Sequence, residues 1–230
     1  KDYDLVISSS HCVAKGIISN KGLHVCYCYT PMRYIWDLYE EYFGKGRSNF
    51  AVKLVMGLIR PFLRRWDVKS SRRVDHFIAI SKYIGDRIKR TYGRESEVIY
   101  PPVDIDKYKL EILNSKFEKE ENSKLDKKEK TINNEEFYLV VSAFAPYKRI
   151  DIAIRAFNKL GYKLKIIGTG QEEKKLRSIA KDSIEFLGWR SDEEIKDCYN
   201  NCKALIFPGE EDFGIVPVEA MACGMPVIAY

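Results

Sequence analysis

Short apolar runs, each followed by a helix-patterned stretch, recur through both halves of this 230-residue chain. Few folds are open to a chain written this way. A strand that is apolar on both faces must be covered on both, and the helices that join parallel strands supply that cover. In the first half "YDLVISSS", "LHVCYCYTP", "DHFIAIS" and "SEVIYPPVD" read as strands. Ser8, Ser9 and Ser10 are candidate caps for a helix after the first strand, and "MRYIWDLYEEYF" has helical spacing. Residues 50–74 are mostly helical in pattern, with an interruption at Pro61. Ser81 caps a helix over "KYIGDRIKRTY" that stops at Gly93. The second half repeats the alternation. "FYLVVSAF", "KLKIIGTG", "IEFLGW", "KALIFPG" and "PVIAY" are the strands, and a capping box of Ser191 and Glu194 opens one of the helices between them. The fold class expected is therefore α/β, with two Rossmann-like parallel-sheet domains.

Between the halves the composition changes. "KFEKEENSKLDKKEKTINNEE" is charged and almost free of apolar residues, which reads as a solvated linker or surface insertion. The domains expected are 1–103, a linker at 104–136, and 137–230. Charge is shared unevenly: residues 1–103 carry 18 Lys+Arg against 10 Asp+Glu, while the remainder is slightly acidic. No apolar run approaches the roughly 18 residues that a membrane span needs. The six cysteines include no CxxC pair and there are only three histidines, so a zinc site is not indicated, and reduced thiols of a cytoplasmic protein are the simplest reading. Both ends fall on strand-like stretches, so the chain is expected to be cut at both ends and both domains to be incomplete.

In open parallel sheets ligands bind beyond the carboxyl ends of the strands. Three loops leave such ends in the second half: "SAFAPYKR", "IGTGQEE" and "FPGEEDFG". The last runs into a helix expected to start near Val216, with Pro217 at its first position and Glu219 in its first turn. The N–H groups of Phe213, Gly214 and Ile215 would then face a phosphate or sugar oxygen. Glu219 suits a ribose diol and Glu211 suits sugar hydroxyls. Glu210, Glu211 and Asp212 can equally be solvated loop acids near a positive helix end. Lys148 and Arg149 follow another strand end, where a cation can neutralise a diphosphate without a metal. The "IGTG" turn with Gly168 and Gly170 falls short of a full dinucleotide fingerprint.

Together, "FPGEEDFGIVPVEAMACGMPVIAY", "APYKRIDIAIRAFNKLG", "IIGTGQEEKKL" and "FLGWRSDEEI" resemble the donor domain of retaining glycosyltransferases of family 4, which have the GT-B fold. "SSSHCVAKG", "YTPMRYIWDLYEEY" and "VIYPPVD" resemble the family's acceptor domain. The resemblance implies two such domains facing a cleft, in a parent protein of roughly 350–400 residues. It implies that Glu211 contacts the donor sugar and Glu219 the nucleotide ribose. Lys148, Arg149, Gly168, Gly170, Phe213, Gly214 and Ile215 line the rest of the donor site, and His11 and Arg33 fall on the acceptor side. The reaction implied moves a hexosyl unit, mannosyl by preference, from a nucleotide diphosphate sugar to a glycan or lipid-linked acceptor with retention. No metal or other cofactor is expected, because no DxD-type site is evident.

Two positions depart from the family's pattern. Tyr29 stands where many relatives have a histidine that helps to position the donor sugar, and Ala143 stands where many have an arginine, although Arg149 adjoins Lys148. A catalytically weak binding protein would explain both departures, and a sugar-nucleotide epimerase, which shares the fold but acts without an acceptor, is a second alternative. The segment "NFAVKLVMGLIRPFLRRWDVKSSRR" mixes apolar residues with Lys53, Arg60, Arg64, Arg65, Lys69, Arg72 and Arg73. It reads either as a packed helix pair with a basic solvent face, or as a surface for anionic lipid or a lipid-diphosphate acceptor that would place the protein on the inner face of a membrane. Nucleic acid is not an expected partner, since no recognised binding module accompanies these cations.

Overall fold

A computed structural model describes residues 3–19, 21–44, 48–108 and 136–230. The charged run expected to be a linker lies almost wholly in 109–135, outside the described residues. The chain divides into two units. One is Lys1–Pro102 with Glu211–Phe213, and the other is Val103–Glu210 with Gly214–Tyr230.

In the first unit β1 (Leu5–Ser10), β2 (Leu23–Cys28), β3 (His76–Ala79) and β4 (Glu97–Val98) form a parallel sheet in that order. Its core gathers Cys26, Cys28, Phe77 and Ala79 from the strands with Ile84, Ile88 and Tyr92 from the helix α3 (Lys82–Tyr92). Helix α1 spans Tyr39–Phe43, α2 spans Phe50–Ser71 and α3 spans Lys82–Tyr92. Ser81 caps α3 by accepting from the Ile84 N–H, and Gly93 ends it in a left-handed conformation, as its sequence implies.

Three local expectations need correction. Among the described residues between β1 and β2 there is no α-helix. Ser8, Ser9 and Ser10 lie within the strand, and only a single 3-10 turn at Ala14–Gly16 follows. Ser8 Oγ is engaged instead with buried His24, at 2.9 Å from Nε2. The helical spacing of 32–43 yields a helix only from Tyr39. The Ile35 carbonyl, which would accept from Tyr39 in a helix, accepts from Arg60 Nε at 3.0 Å and Arg64 Nε at 2.8 Å. Finally, α2 runs unbroken through Pro61. The proline ring would crowd the carbonyl four residues earlier. That residue is Gly57, which is exposed and whose added Cβ would meet nothing within 4 Å.

In the second unit β5 (Phe137–Val141), β6 (Lys163–Ile167), β7 (Ile184–Gly188), β8 (Leu205–Phe207) and β9 (Val227–Ala229) form a second parallel sheet. Its order is β7-β6-β5-β8-β9. The short helix α4 (Ile105–Tyr108) precedes the sheet in sequence. The crossovers carry α5 (Ile150–Leu160), α6 (Glu173–Ile179), α7 (Asp192–Asn201) and α8 (Ile215–Ala222). Val140, Leu164, Ile166 and Ile206 pack against Ile150, Ile154, Phe157 and Leu176. Leu139, Ile167 and Leu205 pack with Tyr199, Ala220 and Cys223. Helices thus cover both faces. The capping box at α7 is formed as expected, with Ser191 and Glu194 each satisfying the other's N–H. All six cysteines are free.

Candidate functional site

The strand order of the second sheet reverses at β5. From β5 the chain steps outward through β6 to β7, then returns to the other side of β5 as β8 and continues to β9. Loops leaving the two strands at such a reversal diverge to opposite faces and open a crevice, where open α/β sheets take their ligands. The two loops here are the one after β5, with Lys148 and Arg149, and the one after β8, which leads to Gly214 and α8. Two of the three loops singled out from sequence therefore sit at the one place in this sheet where topology makes a crevice.

The third loop joins them by close backbone packing. Gly168 has φ 132°, and a Cβ there would lie 1.9 Å from the Ser142 carbonyl oxygen. Gly170 has φ 154°, and its Cβ would lie 2.8–3.0 Å from the Phe144 backbone. A Cβ on Gly209 would lie 2.8 Å from the Lys148 carbonyl oxygen. These glycines are the condition for the three loops to touch. Gly168→Ala is expected to cost about 2 kcal/mol of stability, through strain at a left-handed position and the clash with Ser142. A thermal or urea melt of the variant checks it.

Lys148 ends a 3-10 turn (Pro146–Lys148), with its Nζ 5.3 Å from the centre of the Tyr147 ring. Arg149 follows at φ 52°, the one non-glycine residue with positive φ among those described, and forms the N-cap of α5. Its Nε donates to Asp151 Oδ1 at 3.2 Å. Ala143 is exposed near the start of the same loop.

Helix α8 corrects the expected register. It starts at Ile215, with Gly214 as a left-handed N-cap at φ 88°. Pro217 is the third helical residue and Glu219 lies in the second turn. A proline is tolerated there because the first turn's N–H groups have no intrahelical acceptor. Glu219 is half-buried, and its Oε2 accepts from the Tyr199 hydroxyl at 3.2 Å. Tyr108, from α4, hydrogen-bonds to the same carboxylate. Burial holds both phenols above their ordinary value, Tyr108 at about 12, so both stay protonated donors.

The Glu219 carboxyl itself is raised above 4.5, chiefly by desolvation, with the two tyrosine hydrogen bonds pulling the other way. The linkage has a definite sign. Below the unfolded value the carboxyl is neutral in both states and has no effect. As pH rises through the folded value, the ionised form is disfavoured in the folded chain and stability falls. Glu219→Gln is therefore expected to raise the melting temperature near neutral pH and to leave it unchanged below pH 4.5. Melts at the two pH values check this.

The first unit holds a second cluster. Asp212 is buried. Its Oδ2 pairs with Arg33 Nη2 at 2.5 Å, and its Oδ1 with Arg87 Nη1 at 2.9 Å. Its carbonyl accepts from Ser81 Oγ at 2.6 Å. Arg87, itself buried, also donates to Thr30 Oγ1 at 2.8 Å and Tyr83 Oη at 2.7 Å, and pairs through Nε with Asp37 at 2.6 Å. Asp212 is thus not a solvated loop acid. Glu211, beside it, is half-buried and accepts the Asp212 N–H at 3.4 Å. Phe213 follows, its ring 5.8 Å from that of Tyr100. Sequence reasoning missed Arg87 and gave Asp212 no role. Of the acceptor-side candidates, Arg33 belongs to this cluster, while His11 is exposed just after β1. Tyr29, just past β2, is partly exposed and accepts a hydrogen bond from Ser9 Oγ at 3.0 Å. Among the described residues no group of His, Cys, Asp and Glu is arranged to hold a metal.

Residues 1–107 match the family model Glycosyltransferase Family 4, and residues 121–230 match Glycosyl transferases group 1. The chain belongs to this glycosyltransferase family. An uncharacterized glycosyltransferase of Methanocaldococcus jannaschii is 33% identical over 67% of this chain and 40% of its own length. The O-antigen chain mannosyltransferase RfbU of Salmonella typhimurium is 32% identical over 73% of this chain and 44% of its own. The chain thus spans about two fifths of the length of these curated relatives. Among solved structures, HepE of Anabaena, in complex with UDP and glucose, superposes with a TM-score of 0.60 at 18% identity, over 98% of this chain and 80% of that one. The catalytic domain of starch synthase IV from Arabidopsis thaliana, bound to ADP and acarbose, gives 0.59 at 13% identity, over 100% and 57%. These likenesses establish the GT-B glycosyltransferase fold for the two parallel sheets.

Proposed function

We propose that the protein carrying this chain transfers a hexosyl unit from a nucleotide diphosphate sugar to a glycan or lipid-linked acceptor, with retention at the anomeric carbon. The observation that carries this reading is the crevice at the strand-order reversal, where Lys148 and the start of α8 share one end of the sheet. Lys148 and the first N–H groups of α8 supply positive charge for a departing diphosphate. Glu219, with two tyrosines fixing its carboxylate, is suited to a ribose diol. Glu211, three residues before the helix cap, is assigned to the sugar. With Lys148 and the helix start in that role, no divalent metal is required.

A mannosyl donor is favoured, because the Salmonella relative and a serotype-specific relative from Escherichia coli, 30% identical over 105 residues, are both mannosyltransferases by name. The test is transfer by the full-length protein from a panel of nucleotide sugars to an acceptor extract, with the product's anomeric configuration read by NMR. Transfer from GDP-mannose with retention is the expected result, and EDTA should leave it unchanged. Sugar turnover without any acceptor would favour an epimerase instead. In the same assay Tyr29→Phe is expected to lower transfer about tenfold and Tyr29→His to keep it, as one transition-state hydrogen bond implies. A neutral Phe with an inactive His would remove Tyr29 from the site.

A further inference from the structure

Helix α2 is amphipathic in the reverse of the usual sense. Its inward side carries Asp67, Ser70 and Ser71, all buried. Its outward side carries Phe50, Leu54, Leu58 and Phe62, with relative exposures of 80%, 54%, 65% and 68%. These four recur every fourth residue, so each is turned about 40° from the last, and Ala51 and Val55 fall between them. Together they form one apolar stripe about 18 Å long. Farther along the helix the outward side turns basic, with Arg65, Lys69 and Arg72 all exposed. The only acid from 50 to 72 is Asp67, which is buried on Lys15. The outer surface of α2 therefore pairs a run of large apolar side chains with uncompensated positive charge.

A soluble surface rarely exposes such a stripe without a partner. The charge says which kind of partner. An apolar run flanked by cations is complementary to a bilayer that offers acyl chains below a layer of anionic headgroups. Among the described residues no helix is long and apolar enough to cross a membrane, so such an attachment would be peripheral. We propose that the outer face of α2 is a docking surface for an anionic membrane. Phe50, Leu54, Leu58 and Phe62 enter the interface, and Arg65, Lys69 and Arg72 engage the headgroups. This surface is independent of the donor-site chemistry, and it brings the protein to the plane in which a lipid-linked acceptor would reside.

The test is co-sedimentation of the purified chain with vesicles of phosphatidylcholine alone, or of phosphatidylcholine with one-third phosphatidylglycerol. Three variants accompany it: Leu58→Glu/Phe62→Glu in the stripe, Arg65→Glu/Lys69→Glu in the basic part, and Arg155→Glu/Lys159→Glu on α5. The last makes the same change of net charge as the basic pair on another surface. The chain is expected to bind the anionic vesicles at least about tenfold more tightly than the neutral ones, and less tightly as salt rises. Both α2 variants should lose most of that binding, and the α5 variant should keep it. The basic pair keeps the test open if glutamates in the stripe disturb folding. Absence of anionic-vesicle binding, or equal loss in all three variants, would overturn the proposal. So would a concentration-dependent dimer that the stripe variant dissolves, because a second copy would then own the face.

Discussion

Asp67→Ala is expected to lower the stability of the first unit by about 3–5 kcal/mol, the scale for removing one partner of a buried ion pair. Asp67 is fully buried and Lys15 is 1% exposed. Every polar atom of the carboxylate is occupied. Oδ1 accepts from Lys15 Nζ at 2.5 Å, while Oδ2 accepts from Trp36 Nε1 at 2.8 Å and from the Tyr92 hydroxyl at 2.9 Å. The Lys15 ammonium also donates to the Cys12 carbonyl at 3.1 Å and lies 5.3 and 5.4 Å from the ring centres of Trp66 and Tyr92. Without Asp67 this ammonium is left in an aromatic pocket with one neutral acceptor, and an indole N–H and a phenol lose theirs. The cluster ties α2, α3 and the turn after β1 together, so its loss is felt across the unit. Urea unfolding followed by tryptophan fluorescence reads the effect, since Trp36 and Trp66 both touch the cluster. A double change, Lys15→Met with Asp67→Leu, should recover most of the loss, because an apolar pair needs no desolvation of charge. A loss below about 1 kcal/mol in Asp67→Ala would mean that the pocket admits water and the pair is ordinary.

Glu211→Ala is expected to lower transfer by about 10²–10³-fold, the usual range for removing a group that stabilises a transition state electrostatically, while binding of the bare nucleotide diphosphate changes little. Glu211 stands next to Asp212, whose two arginines and serine hold that short stretch of backbone. A urea melt of the variant checks that the fold tolerates alanine. Single-turnover transfer with saturating donor separates the two effects. A variant with normal turnover would take Glu211 out of the chemistry.

The alternation of strands and helices was legible because both faces of each sheet are covered. Runs such as "FYLVV" and "LIF" are apolar throughout and stand apart from the helices between them. Short-range devices were legible too. Ser81, Gly93 and the Ser191–Glu194 box act within a few residues of their own position. The donor loops showed through their glycines, since Gly168, Gly170 and Gly209 are required by close backbone approach and leave that mark in the sequence. What stayed hidden is long-range. Lys15 and Asp67 are 52 residues apart, and Arg87 and Asp212 are 125 apart. Lys15, Asp67 and Arg87 went unnoticed and Asp212 read as a solvated loop acid, because no local pattern announces a partner so far along the chain. Helix α2 misled in another way. Its basic solvent face is present, with Arg65, Lys69 and Arg72 exposed, but the break expected at Pro61 is absent and the apolar residues of its first half also face outward.

The proposed function puts a nucleotide diphosphate on the second unit, with Glu219 on the ribose and Glu211 elsewhere. Calorimetric titration of GDP and UDP into the chain, with and without EDTA, tests it most directly when repeated on Glu219→Ala and Glu211→Ala. Metal-independent binding is expected, weakened by about 1–3 kcal/mol in Glu219→Ala, the scale of a hydrogen bond to a charged group, and left nearly intact in Glu211→Ala. Equal losses in the two variants, or binding that Glu219→Ala leaves unchanged, would contradict it.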